Sequence, residues 1–283
     1  MKTIDPEYLR PRLKSRADVS HKGDYGHLLI VGGCQAMPGA AVLATGAALR
    51  SGCGLVTLHS TAHAVQAAVI NFPSAMFSED PDVCFSRIPE GLLRFDAIAI
   101  GPGLGRAAQT EAAFAELLDK AHTEDIPLVL DADALSILSV HTELLNKIPS
   151  GSVMTPHEGE LRRLITWETP EEKDEAAFAL CRKTGCVLLS KGFHSEIYTP
   201  DDGKYANTTG NPGMAKGGSG DVLTGLIGGL LARGYSAFEA TALGAWIHGY
   251  AGDCLTRRCT AEAWNSRDLF DELYQGFAVL ARS

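Results

Sequence analysis

Short apolar runs alternate along the chain with longer segments whose apolar residues recur at helical spacing. His27–Gly33, Gly54–Ser60, Asp96–Gly101, Pro127–Ala132, Ser152–Thr155 and Cys186–Gly192 have the length and composition of buried strands. Ala40–Ser51, Gln109–His122 and Glu171–Gly185 lie between them and read as helices. Strands that alternate with helices imply βαβ units, hence an α/β protein with a mostly parallel central sheet and helices on both faces. After Gly192 the pattern changes: Ser195–Thr199 and Lys204–Asn207 around Asp201-Asp202-Gly203 predict a hairpin, followed by helices to the C-terminus. No repeat or linker divides the 283 residues, so one domain is expected. In open parallel sheets ligands bind beyond the carboxyl ends of the strands, and the segments rich in Gly, Asp and His fall there.

The segment with the most chemistry runs from Asn207 to Asp221 and reads NTTGNPGMAKGGSGD. Beyond it Leu223, Leu226, Ile227, Leu230 and Leu231 share one helical face, which predicts a buried helix starting near Gly218–Asp221. Glycines let a ligand approach the backbone, and a helix start supplies unpaired N–H groups with a partial positive charge. The combination is an anion hole built from Lys216, Gly217, Gly218, Ser219 and Gly220. Asp221 has two readings: a first-turn carboxylate that favours the helix dipole, or a base that accepts a proton from a substrate hydroxyl beside a bound phosphate. The turn is not a Walker A loop, because Gly-x-x-x-x-Gly-Lys-Ser/Thr is absent from the chain. Gly101–Arg106 has arginine where a dinucleotide fingerprint needs its last glycine.

Composition narrows the partners. A hydrophobic share of 45% suffices for a large core, and a formal net charge of −9 opposes broad nucleic-acid binding, which needs surplus Lys and Arg. No run nears the roughly 20 apolar residues of a membrane span, and Met1–Arg16 lacks a signal-peptide apolar core, so the expected location is cytoplasmic. Cysteines 34, 53, 84, 181, 186, 254 and 259 form no C-x-x-C pair and are expected to be buried thiols. Asp131 and Asp133 follow a strand and read as helix caps, whereas Lys191 reads either as a solvated lysine or as a point charge for phosphate.

Taken in order, several segments resemble the NAD(P)H-hydrate dehydratases of the ribokinase-like superfamily. They are Gly32-Gly33, Met37-Pro-Gly-Ala-Ala41, Gly101-Pro-Gly103, Asp131-Ala-Asp133, Thr155-Pro-His157-Glu-Gly-Glu160, Lys191-Gly192 and Lys216-Gly-Gly-Ser-Gly-Asp221, a match running from Lys22 to Tyr250. The resemblance implies a lyase that returns the hydrated cofactors (6S)-NADHX and (6S)-NADPHX to NADH and NADPH. It also implies Mg²⁺ with ADP, or ATP, as co-substrate. Carried over, Ala41, Gly103, His157 and Asp221 would contact the hydrated cofactor, with Asp221 as catalytic base. Lys191, Gly192, Phe193, His194, Ser195 and Gly220 would contact the nucleotide.

The resemblance names no metal ligands for this chain. Glu158 and Glu160 could favour the helix dipole or place Mg²⁺ through water. Phe193 and His194 replace the small polar residues usual after that glycine. A small-molecule kinase of the same fold, acting on a thiazole or pyrimidine alcohol, would share the anion hole. Family members are commonly tetramers, and the apolar Ala240–Ala251 helix is a candidate interface. Little sequence precedes the first motif, so hydrate epimerase activity is expected from a separate chain.

Overall fold

The computed structural model describes residues 1–282. Its strands are β1 (Lys2–Ile4), β2 (His27–Val31), β3 (Leu55–Thr61), β4 (Met76–Asp80), β5 (Ala97–Ile100), β6 (Leu128–Leu130), β7 (Val153–Met154), β8 (Val187–Ser190), β9 (Glu196–Tyr198) and β10 (Lys204–Asn207). They form one sheet in the order β1-β10-β9-β8-β7-β6-β5-β2-β3-β4. Its ladders are parallel except the two made by β9. The helices are α1 (Pro6–Leu9), α2 (Pro38–Ala48), α3 (Ala62–Asn71), α4 (Ala108–Thr123), α5 (Ala132–Val140), α6 (Glu158–Leu164), α7 (Pro170–Thr184), α8 (Ser219–Ala232), α9 (Ala237–Arg258), α10 (Ser266–Asp271) and α11 (Leu273–Ala281).

Alternation along the strands builds two apolar layers. Leu28 and Ile30 of β2 and Ala97 and Ala99 of β5 pack with α2, α8, α9 and α11, while Leu29, Val31, Ile98 and Ile100 face α4 and α5 on the other side. The mostly parallel sheet with helices on both faces is the expected architecture, and the hairpin falls at β9 and β10 as read from the sequence. The pattern did not reveal β1, β4 or α3. The first expected strand also stops at Val31 rather than Gly33, where the chain turns left-handed at φ +78°.

β2 lies between β5 and β3, so successive connections leave in opposite directions and open a crevice at the carboxyl ends of β2 and β5. Helix α8 crosses beside it, closely packed against α2. A Cβ on Gly225 would lie 2.0 Å from the Ala44 carbonyl oxygen of α2. Gly225→Ala is therefore expected to force the two helices apart and to lower stability by about 1–3 kcal/mol. Urea unfolding measures this loss, and a variant as stable as the parent would show that α8 can shift freely.

The Ala240–Ala251 segment does not offer the interface suggested by its composition. It lies inside α9, where Ala240, Leu243, Ile247 and Ala251 are 0% exposed, so the subunit's own core consumes its apolar face. The cysteines also depart partly from expectation: Cys34, Cys53, Cys84, Cys181 and Cys186 are buried, but Cys254 is half-buried and Cys259 exposed. Among the described residues no helix is long and apolar enough to cross a membrane.

Candidate active site

The carboxyl ends of β6, β7 and β8 deliver Asp131, His157 and Lys191 to one cavity of about 790 Å³. The first turn of α8 closes its inner side with Ser219, Gly220 and Asp221. At its centre is a network of charged and polar side chains. Lys191 Nζ donates to Asp131 Oδ1 at 2.6 Å, and Thr224 Oγ1 of α8 donates to Asp131 Oδ2 at 2.7 Å. Asp131 is 1% exposed, so these partners satisfy a carboxylate that water does not reach.

The side-chain geometry corrects the cap reading of both Asp131 and Asp133. Asp131 occupies the N-cap position of α5, yet its side chain makes no capping bond and instead crosses the cavity to Lys191 and Thr224. The next residue, Ala132, is held at φ +48°, a left-handed conformation that costs an alanine about 1–2 kcal/mol. Strain of this kind concentrates at functional sites. Asp133 does not cap either: its Oδ2 accepts from the Gly105 N–H at 2.9 Å and anchors the Gly101–Gly105 turn. Lys191, for its part, is an ion-pair partner rather than a solvated lysine.

Burial, reinforced by the neighbouring Asp131 charge, pushes the Asp221 carboxyl up to about 6, while Lys191 opposes the shift. A carboxylate with that value is matched to proton abstraction near neutral pH. It sits in the first turn of α8, whose N–H groups have no partners within the helix. Gly218 opens that helix at φ +89°, and a Cβ there would lie 2.4 Å from Leu43 of α2. A Cβ on Gly220 would lie 3.3 Å from Lys191 Nζ, so the turn meets the cation where the glycine leaves room.

Not every residue singled out from sequence reaches the cavity in the expected way. Lys216 lines the cavity, but its ammonium group donates to the Ala261 and Trp264 carbonyls and lies over the Trp264 ring, so it also braces the loop before α10. Gly217 and Gly218 shape the turn from behind, with the Gly217 carbonyl held by Ser266 Oγ at 2.6 Å. Gly192, Phe193 and Ser195 line the mouth. His194 is exposed and packs on Phe193, with ring centroids 4.2 Å apart. Ala41 and Gly103 are buried and lie outside the cavity lining. A Cβ on Gly103 would approach Met37 and Ala40, and one on Gly33, just past β2, would approach Ala41.

His157 has two places in the structure. Its Nδ1 accepts from the N–H groups of Gly159 and Glu160 and so caps α6, while the residue also lines the cavity. Glu160 completes the capping box through Oε2, which accepts from the His157 N–H at 2.8 Å. Glu158 points to solvent and pairs with Arg162.

Sequence reasoning missed three contributors to the site: Asp131, Asp253 and His248. Asp253 of α9 accepts from Gly210 N and Asn211 Nδ2, fixing the loop that forms the outer cavity wall. His248 reaches the first turn of α8 from α9. For His248 and Asp253 the available signal was one histidine and one aspartate in the mostly apolar middle of α9.

Comparison with known proteins identifies the family. The family model described as NAD(P)H-hydrate dehydratase matches residues 28–275. The ADP-dependent (S)-NAD(P)H-hydrate dehydratase of Neisseria meningitidis serogroup B is 39% identical over 249 residues, covering 86% of this chain and 81% of that protein. A bifunctional NAD(P)H-hydrate repair enzyme of Moorella thermoacetica is 39% identical over 280 residues. That alignment covers 94% of this chain but 52% of the relative, so the chain spans about half the length of such bifunctional proteins. Among solved structures, the ADP/ATP-dependent NAD(P)H-hydrate dehydratase from Bacillus subtilis, co-crystallized with ATP/Mg²⁺, superposes with a TM-score of 0.85 at 30% identity, covering 99% of this chain and 98% of that one. With its sheet, its glycine turn and these relatives in agreement, the chain belongs to the NAD(P)H-hydrate dehydratase family.

Proposed function

We propose that this protein uses ADP to dehydrate (6S)-NADHX and (6S)-NADPHX to NADH and NADPH, releasing AMP and phosphate. The observation that carries the reading is the half-buried Asp221 carboxylate in the first turn of α8, facing the Lys191–Asp131 pair. Hydroxide is a poor leaving group from C6 of the hydrated ring. Phosphorylating that hydroxyl first lets phosphate depart with help from the ring nitrogen. In this scheme Asp221 accepts the hydroxyl proton, and the α8 N–H groups and Lys191 hold the transferred phosphoryl charge.

Ala41 and Gly103 would border the hydrated cofactor in the crevice at β2 and β5. Lys191 to Ser195 would border the nucleotide. Mg²⁺ would enter with the nucleotide phosphates and neutralise their charge. Such ions need only one or two protein carboxylates, often through water, and Glu160 on the cavity wall fits that role. All described elements belong to one sheet-centred domain, to which the dehydration is assigned; epimerisation of the hydrate would fall to a separate catalytic unit, and assembly to a homotetramer would use surfaces other than α9.

The test is an assay of NADH hydrate with ADP and ATP supplied separately. Recovery of dihydronicotinamide absorbance is expected, faster with ADP. Phosphorylation of a thiazole or pyrimidine alcohol, with no recovery of NADH under either nucleotide, would replace this reading by the kinase one.

Lys191→Ala should raise the nucleotide KM by about tenfold or more, the worth of a charge-assisted hydrogen bond, and alter the hydrate KM much less. Because Lys191 also holds the Asp221 carboxyl down, its loss should move the acidic limb of the pH profile upward. Titration calorimetry showing unchanged nucleotide affinity would remove Lys191 from the nucleotide site.

A further inference from the structure

We propose that His248 is a positioning residue for the anion turn: from α9 it holds the Ser219–Gly220 peptide so that the Gly220 N–H is presented to the nucleotide phosphate. The proposal rests on the nucleotide reading of the cavity. His248 is 7% exposed and lines the cavity wall. Its Nε2 lies 2.9 Å from the Ser219 carbonyl oxygen and 3.4 Å from Ser219 Oγ. A carbonyl only accepts, so Nε2 carries the proton and donates. Burial pushes the imidazole down to about 4, which keeps it a neutral donor at physiological pH.

The consequence follows from peptide geometry. The Ser219 C=O and Gly220 N–H belong to one planar unit, so a bond that fixes the oxygen also fixes the direction of the N–H. It polarises that N–H as well, because bonds in series strengthen each other in a low-dielectric site. Gly220 needs such an outside restraint, since it lacks the Cβ that narrows other residues' conformations. The residue is also well placed: Gly220 lines the cavity, and a Cβ on it would lie 3.3 Å from Lys191 Nζ and 3.6 Å from Asp131 Oδ2, so Gly220 sits beside the cation expected to meet phosphate.

His248→Gln and His248→Met separate this role from simple packing, since the side chains are similar in length and only glutamine retains an N–H donor. Labelling serine carbonyl carbons with ¹³C and glycine nitrogens with ¹⁵N lights up the Ser51-Gly52, Ser150-Gly151 and Ser219-Gly220 peptides alone. The Ser219-Gly220 signal should shift in His248→Met and return toward the parent position in His248→Gln, with the other two unmoved. ADP titration calorimetry should show binding weakened on the order of tenfold in His248→Met and largely restored in His248→Gln. Equal ADP affinity in His248→Met and the parent would overturn the proposal. So would equal losses in both variants, or loss of folding in both, which would make His248 a packing residue. If the parent itself bound no ADP, the nucleotide reading would fail, while the labelled spectra would still decide whether His248 orients the peptide.

Discussion

Replacing Asp221 by asparagine is expected to lower kcat by about 10²–10⁴, the usual loss when a positioned general base is removed. Asparagine has nearly the same size but cannot take the substrate proton, so the glycine turn and nucleotide binding should persist. The same substitution should stabilise the protein above pH 6. Burial and Asp131 raise the Asp221 carboxyl to about 6, so the folded state binds this proton more tightly than the unfolded chain does. Folding is thus favoured by protonation, and stability is lost as pH rises from the ordinary aspartate range through about 6. Removing the charge recovers that loss, on the order of 2 kcal/mol. Thermal unfolding at pH 7.5 and turnover on NADH hydrate measure the two effects. A variant with a lower melting temperature and near-parent turnover would reassign Asp221 as a structural helix-start residue.

The parent enzyme's pH profile belongs to the same argument. In the proposed role Asp221 can act as a base only when ionised, so kcat should climb with pH through about 6 and level off above it. Opposing effects on stability and turnover would mark a carboxylate placed for chemistry at the expense of folding free energy.

Local features of the site were legible in the sequence, and features made by distant chain segments were not. The central strands are buried on both faces and therefore read as continuous apolar runs. β1 has three residues, and β4 reads Met-Phe-Ser-Glu-Asp at the sheet edge, so neither carries that signal. The glycine turn and Asp221 were visible because a helix start is written in adjacent residues. The role of Asp131 was hidden, since its partners lie 60 and 93 residues further along the chain. Nothing local shows that Gly101 passes close beneath it, where a Cβ would lie 1.8 Å from the Asp131 carbonyl oxygen. Lys216 also has partners that its motif does not announce: it lines the cavity, and the Ala261 and Trp264 carbonyls, 45 and 48 residues further along, hold its ammonium group.

The substitution Asp131→Ala should have the largest effect on stability and a distinctive effect on pH dependence. Removing one member of a buried ion pair typically costs about 3–5 kcal/mol, because the other charge is left without its partner. Thr224 Oγ1, fully buried, would lose its acceptor as well. Lys191 is 19% exposed at its side chain, so water can solvate the freed ammonium and the loss should fall near the low end of that range. A loss below about 1 kcal/mol in urea unfolding would place the pair among solvated surface bridges. In the fraction that folds, Asp221 loses the stronger of its two carboxylate neighbours, with Asp133 still present, while Lys191 remains to favour its ionised form. The acidic limb of kcat should therefore move to lower pH, opposite to the shift expected for Lys191→Ala. Destabilisation alone cannot produce that contrast, since both variants break the same ion pair and both should unfold more readily. Acidic limbs that moved together, or stayed in place, would detach Asp221 from the Lys191–Asp131 pair and from the base role that the pair supports.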